Sequence, residues 1–301
     1  MHRASPIVPD WILPLRLAAV LVLVGALCGC DRGKSEGVPF TPFPIPNVRA
    51  PAWSPDGLTI ACSRLKEGRS DILLFTIETA ATRVVAGDES SEDCPAWSPD
   101  GKRIAFHSDQ LGSEDIYVLS LGGGEPKRLT RSPGFEGFAG WSPDGKRIAY
   151  QSDARGHWDI WVMDADGGHK TPLTSGAADD TTPAWSPNGA RIAFGSTQEG
   201  SSDIWVMDAT GGNLQRLTQA SDDEWRPAWS PDGKSIAYVR SHGQHSGIWL
   251  MNADGSDQRR LSRDDGRYHD PSWAPDGKRL ACDRWEAKQP QIGWLAVPTA
   301  Q

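Results

Sequence analysis

The sequence predicts an all-β protein: a six-bladed β-propeller, four antiparallel strands per blade, with the ring closed by the N-terminal segment. Three observations carry the prediction. First, Trp53-Ser54-Pro55-Asp56-Gly57 returns at Trp97, Trp141, Trp185, Trp229 and Trp273, each 44 residues after the last, with Asn188 replacing Asp in the fourth copy and Ala274 replacing Ser in the sixth. Self-similarity at a fixed period of this length marks a repeat architecture. Second, each copy holds four short runs rich in Ile, Val, Trp, Tyr and Phe, separated by turn residues, with no helical periodicity between them. Third, the last copy has room for only three runs after Pro271, and the segment before Trp53 can supply the fourth.

The third copy shows each element most plainly. Phe138 to Trp141 is the first strand, and Ser142-Pro143-Asp144-Gly145 is a turn in which Pro presets φ, Asp bonds its own backbone and Gly accepts positive φ. Arg147 to Tyr150 is the second strand and Asp159 to Met163 the third. Asp164-Ala165-Asp166-Gly167-Gly168 is a hairpin turn of the Asp-Gly kind, and a short strand around Leu173-Thr174 ends the unit. Runs such as Ile104-Ala105-Phe106 are apolar on both faces, as sheets sandwiched between neighbours require. Phe40-Thr41-Pro42 falls where other copies carry Arg128-Leu129-Thr130 or Arg216-Leu217-Thr218, so this segment is expected to be the outer strand of the sixth blade. Pro39, Pro42, Pro44 and Pro46 are tolerable there because an outermost strand has a free edge.

The chain has 301 residues and 14 Trp. The six repeat Trp, with Trp161, Trp205 and Trp249 at a second shared position, read as packing residues between blades. A formal charge of −8 argues against nucleic-acid binding, and a monomer is expected. Residues 1–29 read as a signal peptide: Arg3 and Arg16 precede Leu17 to Gly29, an apolar run too short for an ordinary membrane span. The run ends Leu27-Cys28-Gly29-Cys30, which resembles the bacterial lipobox, and the resemblance implies lipidation of Cys30 and a stable membrane anchor. Asp31 then resembles an inner-membrane retention signal. Residues 30–38 read as a tether, and 39–301 as the propeller. Cys62, Cys94 and Cys282 fit no zinc spacing and read as structural.

Pro95-Ala96-Trp97-Ser98-Pro99-Asp100-Gly101-Lys102-Arg103-Ile104-Ala105-Phe106, followed in other copies by Asp-Ile-Trp-Val-Met-Asp (Asp159 to Asp164) and Arg-Leu-Thr, resembles the TolB-type propeller repeat of bacterial envelope proteins. The resemblance covers residues 51–301, recurs six times in phase, and implies a six-bladed propeller facing the periplasm. TolB proper carries an additional α/β domain, whereas about twenty residues separate Cys30 from the first repeat, so the resemblance does not bring the Tol-system role with it. Similar blades also cap prolyl oligopeptidases and build oligogalacturonate lyases.

The turns barely change between copies, while the loops on the opposite face differ freely and are where binding is expected. Trp158, Trp225, Tyr268, His269 and Trp285 are the candidate binding residues there. Five residues before the repeat Trp, four copies carry an acid: Glu92, Glu136, Asp180 and Glu224. These form a candidate ring at the mouth of the central channel, where calcium or another divalent cation would offset their repulsion; the alternative is that each accepts hydrogen bonds in its own turn. Catalysis finds little support. Gly140-Trp141-Ser142-Pro143-Asp144 lacks the closing Gly of a nucleophile elbow, and Ser63-Arg64-Leu65-Lys66 stands alone. Asp164 to Gly167 lacks the further ligands of an EF-hand. The expected function is a non-catalytic, lipid-anchored envelope scaffold that binds a protein partner. The alternative is a carbohydrate or peptidoglycan-fragment binder or lyase that uses a divalent cation in the channel.

Overall fold

The structure is a computed structural model that describes residues 37–87, 89–263, 266–286 and 289–298. The expected signal peptide, Cys30, Asp31 and most of the tether lie outside these residues. Among the described residues there are strands and turns and no helix.

The first strand, β1 (Thr41–Pro46), precedes the repeats. The first repeat is β2 (Val48–Trp53), β3 (Thr59–Lys66), β4 (Arg69–Thr76) and β5 (Thr82–Ala86); the second is β6 (Glu92–Trp97), β7 (Arg103–Ser108), β8 (Asp115–Ser120) and β9 (Lys127–Arg128). The third is β10 (Glu136–Trp141), β11 (Arg147–Ser152), β12 (Asp159–Asp164) and β13 (Thr171–Pro172); the fourth is β14 (Asp180–Trp185), β15 (Arg191–Ser196), β16 (Asp203–Asp208) and β17 (Gln215–Arg216). The fifth is β18 (Glu224–Trp229), β19 (Ser235–His242), β20 (His245–Asn252) and β21 (Arg259–Arg260), and the sixth is β22 (Arg267–Trp273), β23 (Arg279–Glu286) and β24 (Gln289–Ala296). Each of the first four repeats is a four-stranded antiparallel meander. The fifth and sixth share one sheet, joined where Ser246 of β20 pairs parallel with Arg267 of β22. The N-terminal β1 lies antiparallel on β24, with Thr41 opposite Trp294 and Pro42 opposite Gly293. The fourth strand of the third repeat sits at Thr171–Pro172, two residues before the expected Leu173-Thr174; Leu173 instead donates its N–H to Ile160 O just past the strand.

The repeated turn explains its own sequence. Ser142 Oγ donates to Asp144 Oδ1 at 2.6 Å and accepts from Arg147 N at 2.9 Å, while Asp144 Oδ1 accepts from Lys146 N at 3.1 Å. Gly145, at φ 68°, closes the turn onto Ser142 O. The hydroxyl holds the carboxyl of Asp144 below its usual range. The same set of bonds recurs at Ser54, Ser98, Ser186 and Ser230. The sixth copy, with Ala274, loses the hydroxyl's bonds and keeps the Asp276–Lys278 bond and the Gly277 N–H to Ala274 O.

Burial follows the seams between repeats. Ile148, Ala149 and Tyr150 are fully buried, because both faces of β11 are covered. Trp141, Ile148 and Tyr150 share one cluster with Ala105, Ile116 and Leu129 of the preceding repeat. The repeat Trp bridges these seams: Nε1 of Trp97, Trp141 and Trp273 donates to the carbonyls of Ala52, Ala96 and Ala228, at 3.1, 3.2 and 3.0 Å. The guanidiniums of Arg103, Arg147 and Arg191 lie 4.4, 4.6 and 4.8 Å over the rings of Trp141, Trp185 and Trp229. Arg279 of the sixth repeat lies over Trp53 of the first in the same way, at 4.9 Å, and Trp53 and Ile60 share a cluster with Ala281 and Ile292. Each first strand packs beside the first strand of the next repeat, and β2 packs beside β22.

Candidate functional site

The first strand of every repeat is broken at the same place. Its pairing with the second strand shifts register between the residues four and one before Trp, for example Asp93 to Ala96 and Trp225 to Ala228. In five copies the residue two before Trp is proline, which has no N–H to give the ladder, and a bulge is the local consequence. The preceding residue takes positive φ in all six copies: Ala50 (50°), Cys94 (51°), Phe138 (53°), Thr182 (53°), Arg226 (57°) and Asp270 (50°). Non-glycine residues in this region carry strain that persists only where the surroundings enforce it, and such positions cluster at functional sites. All six line one cavity of ≈350 Å³.

Their side chains meet across that cavity. Arg226 forms an ion pair with Asp270, brings Nη1 to 3.9 Å from Cys94 Sγ, and lies 4.2 Å over the Phe138 ring. Arg49 pairs with Asp93, and Asp93 stands in register opposite His107. Trp285 Nε1 donates to Asp283 Oδ2 at 2.7 Å, and His269 Nδ1 is 3.7 Å from the same oxygen. Burial pushes Asp270 up to about 7 despite Arg226, while Asp283, beside His269 and Asp270 and bonded by Trp285, is held low against its own burial. Two carboxyls sharing a site keep one proton between them, which is the physical content of this split. Burial lowers His107 to about 4. Burial would raise Asp93, but His107, Arg49 and hydrogen bonds from Ser63 and the Cys94 N–H together hold it below its usual range.

The acids five residues before Trp lie elsewhere. Glu92, Glu136, Asp180 and Glu224 are each the first residue of a first strand, and all are buried. Glu92 accepts from Ser90 Oγ at 2.5 Å and Ser108 Oγ at 3.2 Å, and Glu136 Oε2 accepts from Ser132 N at 3.3 Å. Burial raises Asp180 and Glu224, opposed by Ser196 and Thr174 on the first and by Thr218 and Arg240 on the second. The other two occupants of this slot, Val48 and Tyr268, are fully buried hydrocarbon and ring. The slot faces the seam between sheets, and none of the four acids lines the shared cavity. Tyr268 is likewise corrected from the binding face to the core, edge-on to Phe40 at 5.8 Å and beneath Arg284.

The remaining candidates are half-buried. Trp158 packs edge-on against Phe135 at 5.1 Å, and Phe135 and Phe138 both face His107, at 5.3 and 5.5 Å. His269 is edge-on to Trp285 at 6.5 Å. Trp225 packs at the edge of the core between the fifth and sixth repeats. The recurrent Asp115 and Asp203 are buried partners of Arg128 (2.5 Å) and Arg216 (2.8 Å), which fixes loop geometry. Arg49, Asp93, Cys94, Arg226, Asp270 and Asp283 were not singled out from sequence. The available signal was divergence: three residues before an almost unchanging Trp-Ser-Pro-Asp-Gly, the six copies carry Ala, Cys, Phe, Thr, Arg and Asp.

Four-stranded antiparallel sheets, repeated along the chain and contributing their first strands to one cavity, define the β-propeller class. Within it the chain belongs to the TolB beta propeller domain family, whose signature matches residues 46–182 and 175–300. Among solved structures it is similar to a protein assigned as TolB from Agrobacterium tumefaciens, at 26% identity over 83% of this chain and 91% of that one, with a TM-score of 0.68. TolB from Acinetobacter baumannii is similar at 29% identity over 75% of this chain and 57% of that one, also with a TM-score of 0.68. An oligogalacturonate lyase in complex with manganese shares the fold at 16% identity over 83% of this chain and 77% of that one, with a TM-score of 0.60. No curated protein matches the chain.

Proposed function

We propose that the chain is a lipid-anchored, periplasm-facing propeller of six blades that binds an envelope protein and performs no chemistry of its own. Ring closure is supported by the pairing of β1 with β24, by Arg279 stacked on Trp53, and by the contribution of every first strand to one cavity. The anchor reading rests on Leu27-Cys28-Gly29-Cys30, with 1–29 removed and 30–38 acting as tether to a propeller from residue 39. The observation that carries the binding reading is two groups of aromatics that include half-buried rings: Trp158 on Phe135 with Phe135 and Phe138 on His107, and Trp285 on His269. Aromatic side chains that are partly covered and held in place lose little entropy on binding and supply most of an interface's energy.

Co-purification of one envelope protein with the full chain, lost in Trp158→Ala and Trp225→Ala variants that unfold as folded proteins do, is the expected result. Undiminished capture by both variants contradicts the surface assignment. Lipid labelling that disappears in Cys30→Ala is expected, and labelling that persists there contradicts the anchor.

A further inference from the structure

We propose that Asp93, Cys94 and His107 form a binding site for a borderline divalent metal of the zinc class at the wall of the central cavity. The proposal is independent of partner binding. A carboxylate oxygen of Asp93, the Sγ of Cys94 and a ring nitrogen of His107 lie within 4.8 Å of one another, and among the described residues this is the trio of ligand atoms so gathered. Three features of the chain bring them together. Asp93 and His107 are register partners on β6 and β7, so their side chains stand on one face. The bulge gives Cys94 positive φ and turns its side chain out of the sheet into the cavity. The Cys94 N–H is fixed in this conformation by Asp93 Oδ1 at 2.8 Å and Ser63 Oγ at 3.1 Å.

His107 supplies the observation that points to a ligand. Its side chain is 7% exposed, Nε2 is 3.4 Å from Glu114 Oε2, and Nδ1 is buried with no hydrogen-bond partner. A buried ring nitrogen without a partner costs free energy unless something takes its lone pair. Glu114 Oε2 makes no hydrogen bond as it stands and lies near enough to His107 Nε2 to become the carboxylate that supports a metal-binding histidine. The ligand chemistry selects the metal. Calcium and magnesium take oxygen ligands, whereas one thiolate, one imidazole and one carboxylate suit zinc and its neighbours, with a fourth position left for water or a group in the cavity. On binding, the Cys94 thiol gives up its proton to solvent as the metal–sulfur bond forms. Arg226 and Arg49 are the nearby cations. Arg226, held on Asp270 and Phe138, also brings Nη1 to 3.9 Å from Cys94 Sγ and would give up that contact to the metal, and Arg49 takes the Asp93 oxygen that is not bonded to Cys94 N.

The test is a cobalt(II) titration of the reduced full chain in detergent, followed by absorption, with zinc as competitor. One equivalent is expected to produce a thiolate-to-cobalt charge-transfer band with intense tetrahedral ligand-field bands, both displaced by zinc and not by calcium. Cys94→Ser is expected to abolish the charge-transfer band, His107→Gln to weaken binding further than Glu114→Gln, and Glu114→Gln to weaken it by about tenfold or more, as loss of a supporting carboxylate does. Glu114→Gln leaves the ligand set intact, so a purely structural histidine would not produce its effect. Absence of the band in the unmodified chain, its persistence in Cys94→Ser, or equal displacement by calcium overturns the proposal. Should Cys94→Ser not fold, His107→Gln and Glu114→Gln decide the matter on the same readout.

Discussion

The seams between repeats and the wall of the cavity are built from the same strands and obey opposite rules. At a seam, every copy solves the same packing problem, so Trp141, Arg147 and Ser142 have counterparts in neighbouring repeats that make the same contacts. At the cavity wall, six copies of one backbone conformation carry six different side chains, and four of them, Cys94, Phe138, Arg226 and Asp270, engage one another across the cavity. In a repeat protein, sameness between copies reports the cost of folding, and difference reports what the molecule has been free to specialise. The acids five residues before Trp follow the rule of the seams: four alike begin their first strands and are buried.

The largest effect expected from breaking this comparison is at a seam. Trp141→Ala removes a buried indole, its bond to Ala96 O and the platform under Arg103; a loss of about 3–5 kcal/mol in urea unfolding is expected. Next come the buried titrating groups of the cavity. Asp270, raised to about 7 from an ordinary 3.8, contributes stability that is complete below the ordinary value and is lost as pH rises through 7. Asp270→Asn is therefore expected to become progressively more stable relative to the unmodified chain between pH 4 and 7, by up to about 1.4 kcal/mol per pH unit. His107, lowered to about 4 from 6.5, has the opposite sign: its contribution is complete above 6.5 and is lost as pH falls through 4. His107→Gln should therefore gain on the unmodified chain as pH falls through this range, and matching slopes for the two variants would contradict the assignment.

A smaller effect separates the sixth repeat from the others. Ser142→Ala deletes a hydroxyl that both donates and accepts in its turn, at a cost of about 1 kcal/mol, and Ala274→Ser should recover a similar amount. No gain on Ala274→Ser would mean that the sixth turn is shaped differently despite its shared Gly277 bond to residue 274. The smallest effect is at the strained slot itself. Ala50→Gly relieves positive φ at a residue whose side chain is one methyl, and a rise of roughly 0.5 kcal/mol is expected once the extra chain entropy is counted.

Most of the architecture was legible in the sequence because it repeats. Trp-Ser-Pro-Asp-Gly specifies a turn by local chemistry alone, and the period of 44 residues places the strands around it. The lead-in segment was legible by alignment of Phe40-Thr41-Pro42 with the outer strands, and β1 does pair with β24. The site was less legible for two physical reasons. A bulge at Asp93–Ala96 reverses which residues face the cavity, and strict two-residue alternation cannot anticipate it. The contacts that matter, such as Arg226 with Cys94, span 132 residues and three repeats' worth of chain. Tyr268 was misread because an aromatic beside a loop looks exposed, although it occupies the same buried slot as Val48.

Two tryptophans on β18 provide the most direct test. Trp229 is the repeated seam residue and is buried, whereas Trp225, four residues earlier, occupies a divergent slot and is half-buried. The measurement is urea unfolding of Trp225→Ala and Trp229→Ala side by side. The account predicts a loss of about 3–5 kcal/mol for Trp229→Ala, and a loss no more than about half as large for Trp225→Ala, in proportion to its smaller buried area. Equal losses would contradict it, because the divergent slot would then be as much a part of the packing as the repeated one.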